Sequence, residues 1–177
     1  MDVYNIYSDI LIKGLFGEII KVRNAEALSA TVIMVYVAID TMAFLSMPEN
    51  KVKNGSAEFI SWVDKYLKTE PSQPYQYEGK DMWGARCAKL HSYSSESEYA
   101  KKNNCKIYGY VKGLNHFYDP TESEKLVIIG IHLLVSDFGD ALISFLRDAA
   151  KNSDLKTMLD KRLEKVCKQF DIKYSKD

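Results

Sequence analysis

Apolar residues recur every three to four positions along much of this chain, and this spacing predicts helices. The pattern is present in residues 7–23, 56–67 and 78–90, and it returns from about Asp137 to Phe170. We therefore predict a first helix, then a third and a fourth, and two C-terminal helices over residues 137–171.

A second helix is predicted over residues 27–47, where nearly every position is apolar and Asp40 carries the only charge. This segment is long enough to cross a bilayer. The other predicted helices are amphipathic and need a common partner, so we expect this helix to be the buried core of a soluble protein. A membrane-inserted helix is the weaker alternative.

Polar residues and capping signals divide the helices. Pro48 is expected to end the second helix, and Ser56 and Asp154 are predicted N-caps. The serine-rich segment 92–104 is predicted to be a mobile loop.

Two short segments have the character of strands. Residues 105–111 read CKIYGYV, an alternation along the chain that is typical of a strand. Residues 126–131 are rich in branched apolar side chains. The polar residues between them include Asp119-Pro120, a turn signal. We therefore predict a small β-hairpin over residues 105–131.

Composition places the chain among soluble globular proteins. Its 177 residues include 24 basic and 24 acidic side chains, so the formal net charge is zero. This balance excludes the strongly basic composition of proteins that coat duplex nucleic acid. The length fits one domain, 1–177, and three cysteines without a CxxC spacing favour a reducing, cytoplasmic location.

The strongest candidate for chemistry is Arg86, followed after four residues by His91, at the end of the fourth predicted helix. Arginine can hold a phosphate in a bidentate manner, and histidine can transfer protons near neutral pH. This pair suits cleavage of a phosphodiester without a metal. Because positions i and i+5 on an ideal helix differ by about 140°, the two side chains converge only if the helix ends near His91 or a second copy adds its own pair.

An arginine, four to six residues and then a histidine on a helix of a small bundle is the hallmark of the HEPN superfamily. This sequence resembles that superfamily, as a bacterial relative. The resemblance covers roughly residues 1–94. It implies a mainly α, HEPN-like helical bundle, to which the β-hairpin (105–131) and the C-terminal helices (137–171) are added. It also implies metal-independent cleavage of RNA at a site shared by two subunits, with Arg86 binding phosphate and His91 acting as acid and base.

Other residues are expected to assist this pair. Asp40, in the apolar helix, and Asp81, on the same helix as Arg86, are candidates to support the guanidinium. Lys89, Ser92 and Tyr93 flank His91 and are the candidate substrate-binding residues. The tyrosines clustered near the motif suit either stacking on RNA bases or packing in the core.

We therefore expect an endoribonuclease or RNA-binding protein that uses no cofactor and no metal. Its expected partners are a second copy of the chain, single-stranded RNA and an antitoxin-like protein, and not a membrane. The alternative is a non-catalytic dimerisation module, in which Arg86 pairs with Asp81 or Glu78 and His91 interacts with the helix C-terminus.

Overall fold

The protein is mainly helical, with one small parallel sheet. The computed structural model describes residues 7–169, and side chains as far as residue 164. The elements are α1 (Ser8–Phe16), α2 (Gly17–Asn24), α3 (Leu28–Leu45), α4 (Ser56–Tyr66), α5 (Gly79–Ser92), α6 (Glu98–Lys102), β1 (Ile107–Val111), β2 (Leu126–Gly130), α7 (Ile131–Lys151) and α8 (Ser153–Gln169). Residues 1–6 of the predicted core and residues 170–171 of the predicted last helix lie outside the described residues.

The first predicted helix is confirmed but consists of two segments. Helix α1 is a π-helix, as shown by the hydrogen bond from the N–H of Gly17 to the carbonyl of Ile12, five residues earlier. Helix α2 continues from it with α-helical geometry. The apolar spacing predicted a helix here, and it did not distinguish the two windings.

Helix α3 lies at the centre of the fold and contacts α2, α4, α5, α7 and α8. It is the one helix in residues 7–169 that is long and apolar enough to cross a membrane, and half of its residues are buried inside the protein. Val35, Tyr36 and Ile39 are fully buried. This packing is that of a core helix in a soluble protein.

Two predicted N-caps are wrong by one or two positions. Gly55, and not Ser56, is the N-cap of α4, and its N–H donates to the Glu58 carboxylate. Asn152, and not Asp154, caps α8, because its side-chain oxygen accepts from two N–H groups of the first turn. At both helix starts a side-chain oxygen accepts from a backbone N–H group that has no partner within the helix. This is the physical requirement at a helix N-terminus.

The segment predicted to be a mobile loop contains helix α6. Ser97 caps this helix by accepting from the N–H of Ala100, and its hydroxyl donates to the carbonyl of Gly84 on α5. Ala100 is buried. One serine thus both starts the helix and attaches it to the bundle, which a polar composition alone does not reveal.

The predicted hairpin is wrong, because β1 and β2 are parallel. Their register pairs Ile107 with Leu126 and Val111 with Gly130. The connection over residues 112–125 is long enough to return the chain to the same end of the sheet, as a parallel pair requires. Within it, Phe117 forms an antiparallel bridge with Ile128 on the other side of β2.

Strand β2 leads directly into α7, which begins at Ile131, six residues before the predicted start. Helix α7 packs on α3, α4 and α8. Its aromatic residues Phe138 and Phe145 meet Trp62 of α4 in the core. The two C-terminal helices therefore complete the core around α3.

Candidate functional site

Arg86 and His91 meet at the C-terminal end of α5. The helix ends at Ser92, and Tyr93 follows in the left-handed conformation, with φ 51° and ψ 29°. The guanidinium Nη1 lies 3.1 Å from Nε2 of His91. The side chains of Arg86 and His91 therefore meet within a single chain, as expected if the helix ends near His91.

Asp40 on α3 holds the other side of the guanidinium. Its Oδ2 accepts from Nε of Arg86 at 3.0 Å and from Nη2 at 2.8 Å. The Arg86 side chain is 17% exposed and that of Asp40 is 21% exposed. Burial raises the pKa of Asp40 above its ordinary value of 3.8, and the hydrogen bonds from Arg86 offset part of this rise.

Trp83, one turn before Arg86, adds a third contact. The guanidinium carbon lies 4.8 Å from the centre of the indole ring, within the range of a cation–π interaction. Trp83 was not among the site residues expected from the sequence, although its position three residues before Arg86 places it on the same helix face. We call Asp40, Trp83, Arg86 and His91 the Arg86 cluster.

The contact between the guanidinium and His91 brings a donor group to a ring nitrogen. A guanidinium has only donors, so a hydrogen bond here requires Nε2 of His91 to accept. His91 is exposed. The cluster therefore places an exposed imidazole beside a permanent cation.

The three predicted substrate-binding residues lie around the end of α5. Nζ of Lys89 lies 3.3 Å from the hydroxyl of Ser29 on α3 and 4.2 Å from the ring centre of Tyr93. Ser92 is exposed, and its hydroxyl bonds to the carbonyl of Ala88 and to the hydroxyl of Ser94. The Tyr93 ring is thus an exposed aromatic surface with a cation on its face.

Asp81 does not join the Arg86 cluster. Its side chain is fully buried and accepts from the hydroxyl of Tyr75 and from the N–H of Lys106, both at 2.9 Å. These contacts connect α5 to the start of β1. Glu78, just before α5, has a carboxylate oxygen 3.5 Å from Nζ of Lys80, so neither Asp81 nor Glu78 is the ion-pair partner of Arg86.

Three of the tyrosines clustered near the motif are buried: Tyr75, Tyr77 and Tyr108. Tyr75 and Tyr108 share a hydrogen bond of 2.8 Å, and the partly buried Tyr110 shares another of 2.5 Å with Tyr36. Tyr93, in contrast, is 64% exposed. Stacking on a base is therefore open to Tyr93 and closed to the three buried tyrosines.

The described side chains contain no group of three or more His, Cys, Asp or Glu arranged to hold a metal ion. Comparison with family models, with curated proteins and with solved structures found no match to this chain. The geometry of the Arg86 cluster therefore stands on its own as the basis for a functional argument.

Proposed function

We propose that this protein is a metal-independent endoribonuclease of the HEPN type that cleaves single-stranded RNA in the cytoplasm. The observation that carries the proposal is the 3.1 Å contact between Nη1 of Arg86 and Nε2 of exposed His91. Asp40 forms an ion pair with the same guanidinium through Nη2. A cation and a proton acceptor thus lie within reach of the same phosphate.

The proposed reaction uses the ribose 2′-hydroxyl as the nucleophile. His91 takes its proton through Nε2 while the 2′-oxygen attacks phosphorus, and the bond from phosphorus to the 5′-oxygen breaks. The products are a 2′,3′-cyclic phosphate and a 5′-hydroxyl, whose proton comes from a second histidine or from water. Arg86 releases His91 and donates Nη1 to a phosphate oxygen, where it offsets the charge of the transition state.

Asp40 and Tyr93 have separate parts in this proposal. Asp40 is a positioning residue, because it fixes Nε and Nη2 of Arg86 and leaves Nη1 for the phosphate. Tyr93 supplies a ring on which a base next to the cleaved bond stacks. Lys89 lies on the face of that ring and adds positive charge for the RNA backbone.

A homodimer is part of the proposal, since it would supply the second histidine. The outward side of α3 carries an apolar residue close to Asp40, because Val37, three residues before it, is 45% exposed. A second copy that packs there would place two Arg86 clusters near each other. Light scattering after gel filtration should give twice the chain mass, and Val37→Glu should give a monomer.

The test is cleavage of end-labelled single-stranded RNA in the presence of EDTA. Arg86→Ala and His91→Ala should each lower the cleavage rate about 100-fold or more. His91→Ala should keep the wild-type melting temperature, whereas Arg86→Ala also removes the ion pair with Asp40 and should melt at a lower temperature, so both variants are assayed where the melting curve shows them folded. Arg23→Ala and His132→Ala, which remove the same side-chain types outside the cluster, should retain full activity. A wild-type protein that cleaves no RNA, or variants that cleave at the wild-type rate, would refute the proposal.

The alternative, a non-catalytic module, is favoured by the partial burial of the Arg86–Asp40 pair, which connects α5 to α3. Cys87 also follows Arg86 where many active members of the superfamily have a polar residue, and burial raises the pKa of its thiol. If Arg86→Ala unfolds the protein while His91→Ala changes neither stability nor RNA cleavage, this alternative is correct.

A further inference from the structure

A partly enclosed cavity of about 410 Å³ lies at the junction of α1, α7 and α8. Its walls are mainly apolar, formed by Ile12 of α1 and by Ile143, Leu146 and Ala149 of α7. The volume is in the range of small-molecule sites, roughly 300–1,000 Å³. The walls offer an apolar environment and few hydrogen-bonding groups, which suits an alkyl chain.

A second hollow of about 320 Å³ lies next to this cavity, between α1, α2 and α7. Ile12 and Ile143 line both spaces, and Phe16 and Leu142 extend the apolar walls of the second. Helix α7 therefore presents apolar surface on both sides of these two shared residues.

The charged residues on the cavity wall leave one positive charge uncompensated. Nζ of Lys156 lies 2.7 Å from Asp160, which also accepts from the hydroxyl of Tyr7. Arg147 is exposed and has no hydrogen bond or ion pair with any other residue that the structure describes. A guanidinium without a partner beside an apolar cavity complements a ligand with one anionic end.

The winding of α1 is a further unusual feature of this site. A π-helix is rare, and those that occur are frequently found at functional sites. Here the π-helix covers Ser8–Phe16, and its residues Ser8 and Ile12 line the cavity. The wider turn thus occurs in the segment that forms one wall of the cavity.

We propose that this cavity binds a medium-chain fatty acid, with its alkyl chain between α1 and α7 and its carboxylate on Arg147. The inference is independent of the RNA-cleavage proposal, because no residue that lines the cavity belongs to the Arg86 cluster. The carboxylate accepts from the two terminal nitrogens of the guanidinium, and the chain replaces water along Ile12, Ile143 and Leu146.

The test is calorimetric titration of the full chain with decanoate, with 1-decanol as the uncharged ligand of equal chain length. Decanoate should bind saturably with one molecule per chain. Arg147→Gln should weaken decanoate binding about tenfold and leave decanol binding unchanged. Lys151→Gln, which removes a cation of α7 outside the cavity, should bind decanoate as the wild type does.

A second variant tests the location of the chain. Ala150 is exposed and lines the cavity, so Ala150→Phe should block decanoate and decanol equally. A melting temperature equal to that of the wild type would show that Ala150→Phe is folded. If Ala150→Phe does not fold, the comparison of decanoate with decanol in Arg147→Gln tests the proposal instead. Absence of saturable binding, equal affinity for decanol and decanoate in the wild type, or no effect of Arg147→Gln would overturn the proposal.

Discussion

Arg86 is held by three different interactions: the ion pair with Asp40, the hydrogen bond to His91 and the contact with the Trp83 ring. Arginine side chains on a surface normally lose rotamer freedom when they bind a ligand, and this loss lowers affinity. Here most of that freedom is already lost in the free protein. The arrangement is preorganised to bind an anion next to His91.

Asp40→Asn tests the contribution of the ion pair. The variant removes the negative charge but keeps a similar shape, so it leaves a partly buried guanidinium without a counter-charge. We expect the free energy of unfolding to fall by about 1–2 kcal/mol, between the values typical of exposed and buried pairs. Urea denaturation measures this change. Glu98→Gln, which breaks the exposed pair with Lys101, should change it by less than about 0.5 kcal/mol.

The same variant distinguishes positioning from folding. If Asp40 positions Arg86, Asp40→Asn should also lower the RNA-cleavage rate at saturating RNA under conditions in which the protein is fully folded. An unchanged rate would show that Asp40 acts on stability alone.

Tyr93→Gly should separate stability from RNA binding. Tyr93 has φ 51°, a left-handed conformation that costs a non-glycine residue about 1 kcal/mol and is common for glycine after a helix. We expect the variant to be more stable by about 0.5 kcal/mol and to bind single-stranded RNA about tenfold more weakly, because a stacking ring is lost. Thermal melting and fluorescence anisotropy measure the two effects.

Tyr93→Phe is the matched control, because it keeps the ring and the left-handed residue. It should match the wild type in both measurements. A loss of stability in Tyr93→Gly would instead show that the ring contributes to the fold, and unchanged RNA binding would exclude a stacking role.

The packing of α5 on α4 sets the position of the Arg86 cluster. At the start of α5, the N–H of Gly79 donates to Oδ1 of Asp64 at 2.7 Å. The backbone of α4 is so close that a β-carbon on Gly79 would lie 2.6 Å from the carbonyl oxygen of Ile60. Only a residue without a side chain permits this approach.

Gly79→Ala should therefore destabilise the protein by about 1–3 kcal/mol, because the two helices must separate to admit a methyl group. Gly113→Ala is the control, since a β-carbon there meets no atom within 4 Å. It should change the free energy of unfolding by less than about 0.5 kcal/mol. Equal effects in urea denaturation would contradict the close-packing argument.

Two buried titratable residues, Asp137 and His116, have opposite effects on how the stability of the whole molecule changes with pH. Burial raises the pKa of Asp137 from 3.8 to about 6, with Asp140 and Glu70 adding to the rise and the hydrogen bond from Tyr77 opposing it. Burial also lowers the pKa of His116 from 6.5 to about 4. The two residues are connected, because Tyr77 donates to Asp137 and its ring packs edge-on against His116.

The signs of the two effects follow from these pKa values. The folded state favours protonated Asp137, so its contribution to stability is complete below pH 3.8 and is lost as the pH rises through about 6. The folded state favours neutral His116, so its contribution is complete above pH 6.5 and is lost as the pH falls through about 4. Between pH 4 and 6 the two contributions change in opposite directions.

Asp137→Asn should therefore make the protein more sensitive to acid. The quantity to compare is the free energy of unfolding of the variant minus that of the wild type. This difference should be about 2–3 kcal/mol larger at pH 7 than at pH 4, because the wild type gains stability when Asp137 is protonated and the variant does not. Urea denaturation at both pH values measures the difference. A difference that does not vary with pH would show that Asp137 titrates normally in the folded protein.

The sequence by itself determined the helices other than α6, the core position of α3 and the presence of Arg86 and His91 near the end of one helix. These features depend on local spacing, because a helical period of 3.6 residues is visible within a dozen positions. The same reasoning could not identify the π-helical winding of α1, since apolar spacing over nine residues is similar in both forms.

The tertiary structure decided the direction of the strands, the choice of Asp40 over Asp81 as the partner of Arg86, and the burial of Tyr75, Tyr77 and Tyr108. Each depends on the path of the chain between residues far apart in sequence. A strand's apolar pattern is the same in either direction. Asp81, on the same helix as Arg86, accepts hydrogen bonds from Tyr75 and Lys106 and not from Arg86. Packing around α3 made these choices, because it fixed which side chains share a buried space.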